Sequence, residues 1–206
     1  MNIAPLIHVV DDDSAMRTAL LRLLGAAGFE ACGYASTGEF LLKPLPDRPG
    51  CLVLDMRLPG PSGLELQAAL QSRGIGLPIV FLSGHADVAS SVQAMKAGAV
   101  DFLTKPVTRE VLLDAVGRAL ALDATRRVAR EEAGHLHELF ATLTERQRAV
   151  FDRIVAGRLN KQIADELGVA ERTVKREREQ VMAKLDATSA ADLGRLAELL
   201  MRATPR

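Results

Sequence analysis

Three consecutive aspartates, Asp11, Asp12 and Asp13, follow the apolar run LIHVV. Three more polar residues end apolar runs elsewhere: Asp55 in CLVLD, Ser83 in IVFLS and Lys105 in DFLTKP. Clustered carboxylates without His or Cys suit a hard, oxygen-seeking cation such as Mg²⁺. A lysine is a long-armed point charge that suits a phosphoryl group, and a serine hydroxyl donates to a phosphoryl oxygen. A carboxylate can itself attack phosphorus and form a labile acyl phosphate. A metal would offset the repulsion between that carboxylate and the incoming group. Each residue alone has a plainer reading: Asp55 as a helix cap, Ser83 as a loop hydroxyl, Lys105 as a solvated charge. Their shared position at the ends of apolar runs joins them.

The elements that carry them can be read from periodicity. Residues 6–10, 51–54, 78–82 and 99–103 are nearly continuous apolar runs, as buried strands of a parallel sheet should be. A weaker strand fits residues 30–34. Helical patterns over 15–27, 38–42, 64–73 and 88–97 separate the strands. Ser36 with Glu39, and Ser62 with Glu65, have capping-box spacing. Five strands alternating with helices predict a doubly wound α/β domain. Such sheets bind ligands outside the carboxyl ends of their strands, where the six polar residues fall.

From residue 108 the pattern turns helical. Leu112, Leu113, Val116, Ala119 and Leu120 make an apolar face, and a polar amphipathic stretch continues it as a linker helix over 123–141, with Gly134 as its weak point. Thr144 with Gln147 opens a helix, Gly157 ends it, Asn160 is the expected cap of the next, Gly168 breaks the chain, and Ser189 with Asp192 caps the last. Four short helices with one tight central turn predict an all-α helix-turn-helix domain over 142–206.

The formal net charge is zero, so no global field draws the molecule to nucleic acid or membrane. The last 65 residues are mildly basic, with 13 Lys and Arg against 10 Asp and Glu. Cys32 and Cys51 are far apart and have no CxxC spacing, which fits reduced thiols. No leader pattern and no run long enough to span a bilayer are evident, so the expected location is the cytoplasm, without membrane contact.

The motifs VVDDD, LDMRLPGPSGLE, LSGH and MKAGAVDFLTKP, in this order over about residues 5–122, resemble the receiver domain of bacterial response regulators. The resemblance implies a flavodoxin-like five-stranded sheet in a receiver over 1–122. It implies Asp55 as phospho-acceptor and Mg²⁺ as cofactor, with Asp12 a direct ligand, Asp11 acting mainly through water, and the Arg57 backbone carbonyl a further ligand. Lys105 would pair with the phosphoryl group and Ser83 would bind one of its oxygens. Phe102 matches the aromatic switch position, and the Lys105–Pro106 bond is expected to be cis. Arg57 and His85 lie at the rim, where they are expected to tune phosphoryl lifetime. Asp13 has no ligand role and is read as a helix-start carboxylate.

The segment LTERQRAVFDRIVAGRLNKQIADELGVAERTVKREREQVMAKL resembles the DNA-binding domain of the NarL/FixJ/LuxR class, and the whole chain resembles a FixJ-like response regulator. The carried-over base-facing residues are Lys175, Arg176 and Glu179, flanked by Arg172. Thr173, Asn160 and Lys161 are expected at phosphates. Two positions depart from the family: Arg176 stands where an apolar residue is usual, and Glu177 where His is usual. The expected partners are a sensor histidine kinase, double-stranded DNA, a second copy of the chain on phosphorylation, and RNA polymerase. The expected role is a phosphorylation-controlled transcription factor, not an enzyme. Two alternatives share these residues. One is a Mg²⁺-dependent phosphohydrolase, against which stands Arg57 near the place of a second catalytic acid. The other is a DNA-binding protein with a phosphate-independent dimerisation module.

Overall fold

A computed structural model describes residues 4–84 and 88–203. The chain divides into two compact units, Met1–Arg127 and Val128–Arg206.

The first unit is a five-stranded parallel sheet: β1 Leu6–Val10, β2 Glu30–Tyr34, β3 Gly50–Asp55, β4 Ile79–Ser83 and β5 Asp101–Thr104. The strand order is β2-β1-β3-β4-β5, so the order reverses between β1 and β3. Helices α1 Ser14–Ala26, α2 Thr37–Leu42, α3 Gly63–Ser72 and α4 Val88–Lys96 connect the strands, and α5 Arg109–Ala141 follows β5. Successive strand residues point to opposite faces. Ile7, Val9, Val53, Val80 and Leu82 therefore pack with Leu20 and Leu24 of α1 and Leu112 and Val116 of α5. Val10, Leu52, Leu54 and Phe81 pack on the other face with Phe40, Leu66 and Leu70. Both faces are dry, which is why these strands read as unbroken apolar runs.

Local signals set the element ends. Ser62 and Glu65 form a reciprocal capping box at the start of α3. Ser36 accepts the Glu39 N–H, but the Glu39 carboxylate takes the Ala35 N–H instead of closing the box. Asp13 is a true N-cap: its carboxylate accepts the Ala15 and Met16 amides at 2.8 and 3.2 Å. The start of β5 lies two residues later than the apolar run suggests, because the Ala99 N–H still closes α4 by donating to the Ala94 carbonyl. Cys32 and Cys51 are free thiols. Burial pushes the Cys51 thiol up to about 12, which keeps it protonated.

Helix α5 runs 33 residues and passes through Gly134 unbroken. Its Asp123, expected in a linker, is buried and bonded to β3 of the first unit. Arg127 ties the same turn to Asp47 at 2.8 Å and to Asp123 at 2.9 Å.

The second unit contains the end of α5 with α6 Glu145–Val155, α7 Asn160–Leu167, α8 Glu171–Lys184 and α9 Ala190–Ala203. Leu143, Val150, Phe151, Ile163, Val174, Val181 and Leu193 form its core, with Leu139 and Phe140 of α5 packed against it. Thr144 and Gln147 form the reciprocal capping box of α6. Asn160 does not cap α7. The cap position is Leu159, which has no side-chain cap bond, and Asn160 is the first helical residue. Its Oδ1 instead accepts a hydrogen bond from Arg178 Nη1 of α8 at 3.2 Å, so a tertiary contact outcompetes the local one.

Candidate functional site

The sheet's switch point places Asp11, just after β1, beside Asp55, the last residue of β3. Parallel pairing sets Asp55 opposite Leu82 and Ser83 opposite Thr104, so the ends of β3, β4 and β5 share one edge. Lys105 follows directly, and its N–H donates to the Ser83 carbonyl at 2.8 Å. Its ammonium returns over the crevice to Asp11 Oδ2 at 2.7 Å and Asp55 Oδ2 at 2.5 Å.

Each of the two carboxylates also accepts one backbone amide. The Asp13 N–H donates to Asp11 Oδ1 and the Arg57 N–H to Asp55 Oδ1, both at 3.0 Å. Asp11 and Asp55 are buried and Asp12 is exposed at the mouth. One oxygen from each of Asp11, Asp12 and Asp55 lies within 4.8 Å of the others. This all-oxygen donor set fits Mg²⁺ and offers nothing to soft metals.

The electrostatics follow from this packing. Burial raises the Asp11 carboxyl above its usual value, Lys105 partly offsets that, and the Asp55 charge adds to the rise. Burial also disfavours the Lys105 ammonium, but its hydrogen bonds to Asp11 and Asp55 outweigh this and hold it above the ordinary lysine value. Lys105 is therefore a firmly held cation.

Ser83 is buried at the end of β4. Phe102 is half-buried and packs on Phe81, ring centroids 6.4 Å apart. The Lys105–Pro106 bond is cis. Arg57 is exposed at the rim, and His85 lies outside the described residues.

On α8, Arg172, Lys175, Arg176 and Glu179 are all exposed, at helical spacings that align them on one outward stripe. Val174 and Val181 are buried on the opposite side. Thr173 and Asn160 are half-buried and Lys161 is exposed beside the start of α7. Sequence reasoning missed Arg178 as a partner of Asn160, since nothing local links residues 18 positions apart.

A family model described as the response regulator receiver domain matches residues 7–117, and one described as bacterial regulatory proteins of the luxR family matches residues 141–197. Nodulation protein W of Bradyrhizobium diazoefficiens is 47% identical over 195 residues, covering 95% of this chain and 86% of that protein. The chain belongs to the FixJ-like response regulators of the NarL/FixJ family. Among solved structures, the response regulator StyR matches with a TM-score of 0.79 and 47% identity, over 95% of this chain and 99% of that one. Full-length FixJ from B. japonicum matches with a TM-score of 0.58 and 37% identity, over 96% and 97%.

As a FixJ-like regulator, the protein is a two-component response regulator with an aspartate phosphorylation site in its receiver and a helix-turn-helix DNA-binding domain. Asp11, Asp12 and Asp55 form the acidic cluster typical of the receiver Mg²⁺ site. A receiver takes up and releases a phosphoryl group on its own carboxylate, which is self-modification rather than turnover of a substrate. The family acts with a kinase, with DNA and as a dimer. No described helix is long and apolar enough to cross a membrane.

Proposed function

We propose that Asp55 is the phospho-acceptor and that its phosphorylation controls dimerisation and sequence-specific DNA binding. The observation that carries this reading is the Lys105 ammonium held between Asp11 and Asp55 at the sheet's switch point. An Asp55 carboxylate oxygen attacks the phosphorus of a kinase phosphohistidine, the P–N bond breaks, and its electron pair leaves on the imidazole, which takes up a proton. Lys105 then pairs with a phosphoryl oxygen, and the Ser83 hydroxyl donates to another. Asp11, Asp12, Asp55 and the Arg57 carbonyl would hold Mg²⁺, which would supply charge neutralisation at the phosphoryl oxygens. Arg57 and His85 act at the rim on access of water and so on phosphoryl lifetime.

Phe102 is the ring that responds to Ser83. Its strand lies between α4 and α5, whose Val88, Val92, Met95 and Val111 are exposed apolar side chains. That face suits a second copy of the chain, and a shift of a few kcal/mol in favour of the competent state is enough to bring it together. Two recognition helices then read two half-sites. Lys175, Arg176 and Glu179 meet base edges, while Arg172, Thr173, Lys161 and the Asn160 amide NH₂ meet phosphates. RNA polymerase at the promoter is the remaining partner.

The test is incubation of the full chain with Mg²⁺ and a small acyl phosphate, followed by intact mass, sedimentation and DNA-binding measurements. One phosphoryl group should appear, dimer and DNA affinity should rise together, and Asp55→Asn should abolish all three. A phosphate at Asp55 that leaves dimerisation and DNA affinity unchanged would support the phosphate-independent module instead, and rapid multiple turnover the phosphohydrolase.

A further inference from the structure

Asp11, Asp12 and Asp13 form a short loop between β1 and α1. Several contacts pin it. The Asp11 N–H donates to the Tyr34 carbonyl at 3.2 Å, and the Asp13 N–H to Asp11 Oδ1 at 3.0 Å. Asp13 in turn caps α1. A further contact comes from Arg17, one turn into α1. Its Nη1 donates to the Asp11 carbonyl at 2.6 Å and leans toward the Asp12 carbonyl at 3.4 Å. Among the described residues, Arg17 is the one side chain bonded to these two carbonyls. A guanidinium donor makes such bonds stronger and geometrically stricter than a neutral one.

A second observation concerns how Arg17 gets there. It crosses β2 at Gly33. A β-carbon at Gly33 would sit 3.1 Å from Arg17 Cγ, 3.2 Å from Arg17 Cδ and 2.9 Å from Leu21 Cδ1. Glycine inside a strand weakens it and marks a place of close approach. The approaching group here is the Arg17 stem.

We propose that Arg17, seated over the bare backbone of Gly33, is a positioning residue for the divalent cation. It holds the Asp11–Asp12 backbone in the conformation that presents both carboxylates to the ion. The proposal rests on the reading of Asp11, Asp12 and Asp55 as the cation site. Two effects of Arg17 oppose each other. As a positive charge bonded to the carbonyls of the ligand loop it competes with the ion, and its removal would tighten binding. As a prop it pre-organises the ligands, and its removal weakens binding. Partners that orient ligands commonly contribute about tenfold or more in metal affinity, so the prop outweighs the charge.

The test is an NMR titration of the unphosphorylated full chain with MgCl₂, following the amides of Asp13 and Arg57. Arg17→Ala should weaken Mg²⁺ binding about tenfold, and Arg17→Lys, which keeps the charge but not the fork, should fall between. Gly33→Ala, which displaces the stem while leaving the arginine in place, should weaken binding in the same direction. The double variant should be no weaker than Arg17→Ala alone. Unchanged or tighter binding in a folded Arg17→Ala or Arg17→Lys protein overturns the proposal, as does strict additivity of the two sites. Failure of the underlying reading looks different: wild type would then show no saturable shift, or Asp12→Asn would leave it intact.

Discussion

The carboxylate of Asp123 accepts the backbone N–H of Gly50 at 3.1 Å across 73 positions of sequence. Arg127 reaches the same carboxylate from one turn further along α5 and donates to the Arg48 carbonyl as well. This corner fastens the helix to the start of β3, at the end of the sheet away from Asp55. Removing the Asp123 carboxylate orphans the buried Gly50 N–H and leaves Arg127 with Asp47 as its remaining carboxylate. Asp123→Ala should therefore lower stability by about 1–3 kcal/mol, read as a fall in the urea midpoint. Asp123→Asn, which keeps an oxygen acceptor for the Gly50 N–H, should lose less than Asp123→Ala.

Acid should destabilise the first unit through His8. This residue is buried, its Nδ1 is 3.0 Å from the Tyr34 hydroxyl, and its ring packs edge-on to Phe40. Burial, then the nearby Arg48 charge, lowers its pKa from 6.5 to about 4. The unfolded chain thus binds the proton more readily than the folded one. The stabilising contribution is complete above pH 6.5 and is lost as pH falls toward 4. Its full size is on the order of 3 kcal/mol. Denaturant midpoints measured from pH 7.5 to 4.5 should show the decline, and His8→Gln should flatten it; an equal slope in that variant would rule this source out.

The box at α6 separates a cap from a network. Thr144→Ala removes one accepted N–H and should cost about 1 kcal/mol in thermal unfolding of the second unit. Gln147→Ala should cost more. That side chain is buried, accepts the Thr144 N–H, donates to Gln180 and accepts from Lys184. Equal losses would mean that the network adds nothing beyond the cap.

Duplex binding should distinguish the positions around α8. With Arg176 at a base edge, Arg176→Ala should cost about 1–3 kcal/mol on the preferred site and relax preference at one base pair. With Lys161 at a phosphate, Lys161→Ala should weaken all sequences alike and reduce the salt slope by about 1. Selection of bound DNA at two salt concentrations reads both, and a sequence-neutral loss from Arg176→Ala would remove it from base recognition.

Much of this was legible in the chain because the polar residues at strand ends are tied to strands that announce themselves. A doubly buried strand must be apolar throughout, so its last residue, Asp55 or Ser83, is conspicuous by contrast. The capping boxes at Ser62 and Thr144 were legible for a similar reason: both partners lie within one turn. Asp123 was hidden because its partner is a backbone amide, which has no sequence signature. Asn160 misled because its local option, capping α7, lost to Arg178. Arg17 looks like any surface arginine of α1 until the fold lays it across Gly33. Partners near in sequence are often readable, though Ser36 and Glu39 have the box spacing and do not close it, and distant partners are readable where strand ends mark them, as at Asp11, Asp55 and Lys105.

The stripe on α8 has a consequence for how the protein searches DNA. The helix carries five basic and three acidic residues, so acid is interleaved with base along it. Phosphates repel the one as they attract the other. On the proposed contacts, a surface so mixed should displace few counterions from arbitrary sequence, and a shallow salt dependence of non-specific binding would show it. In the proposed contacts, Glu179 is rewarded only where a donor such as a cytosine amino group faces it. Weak adhesion everywhere else would, on that reading, leave the regulator free to sample DNA and to stop where the bases answer its charges.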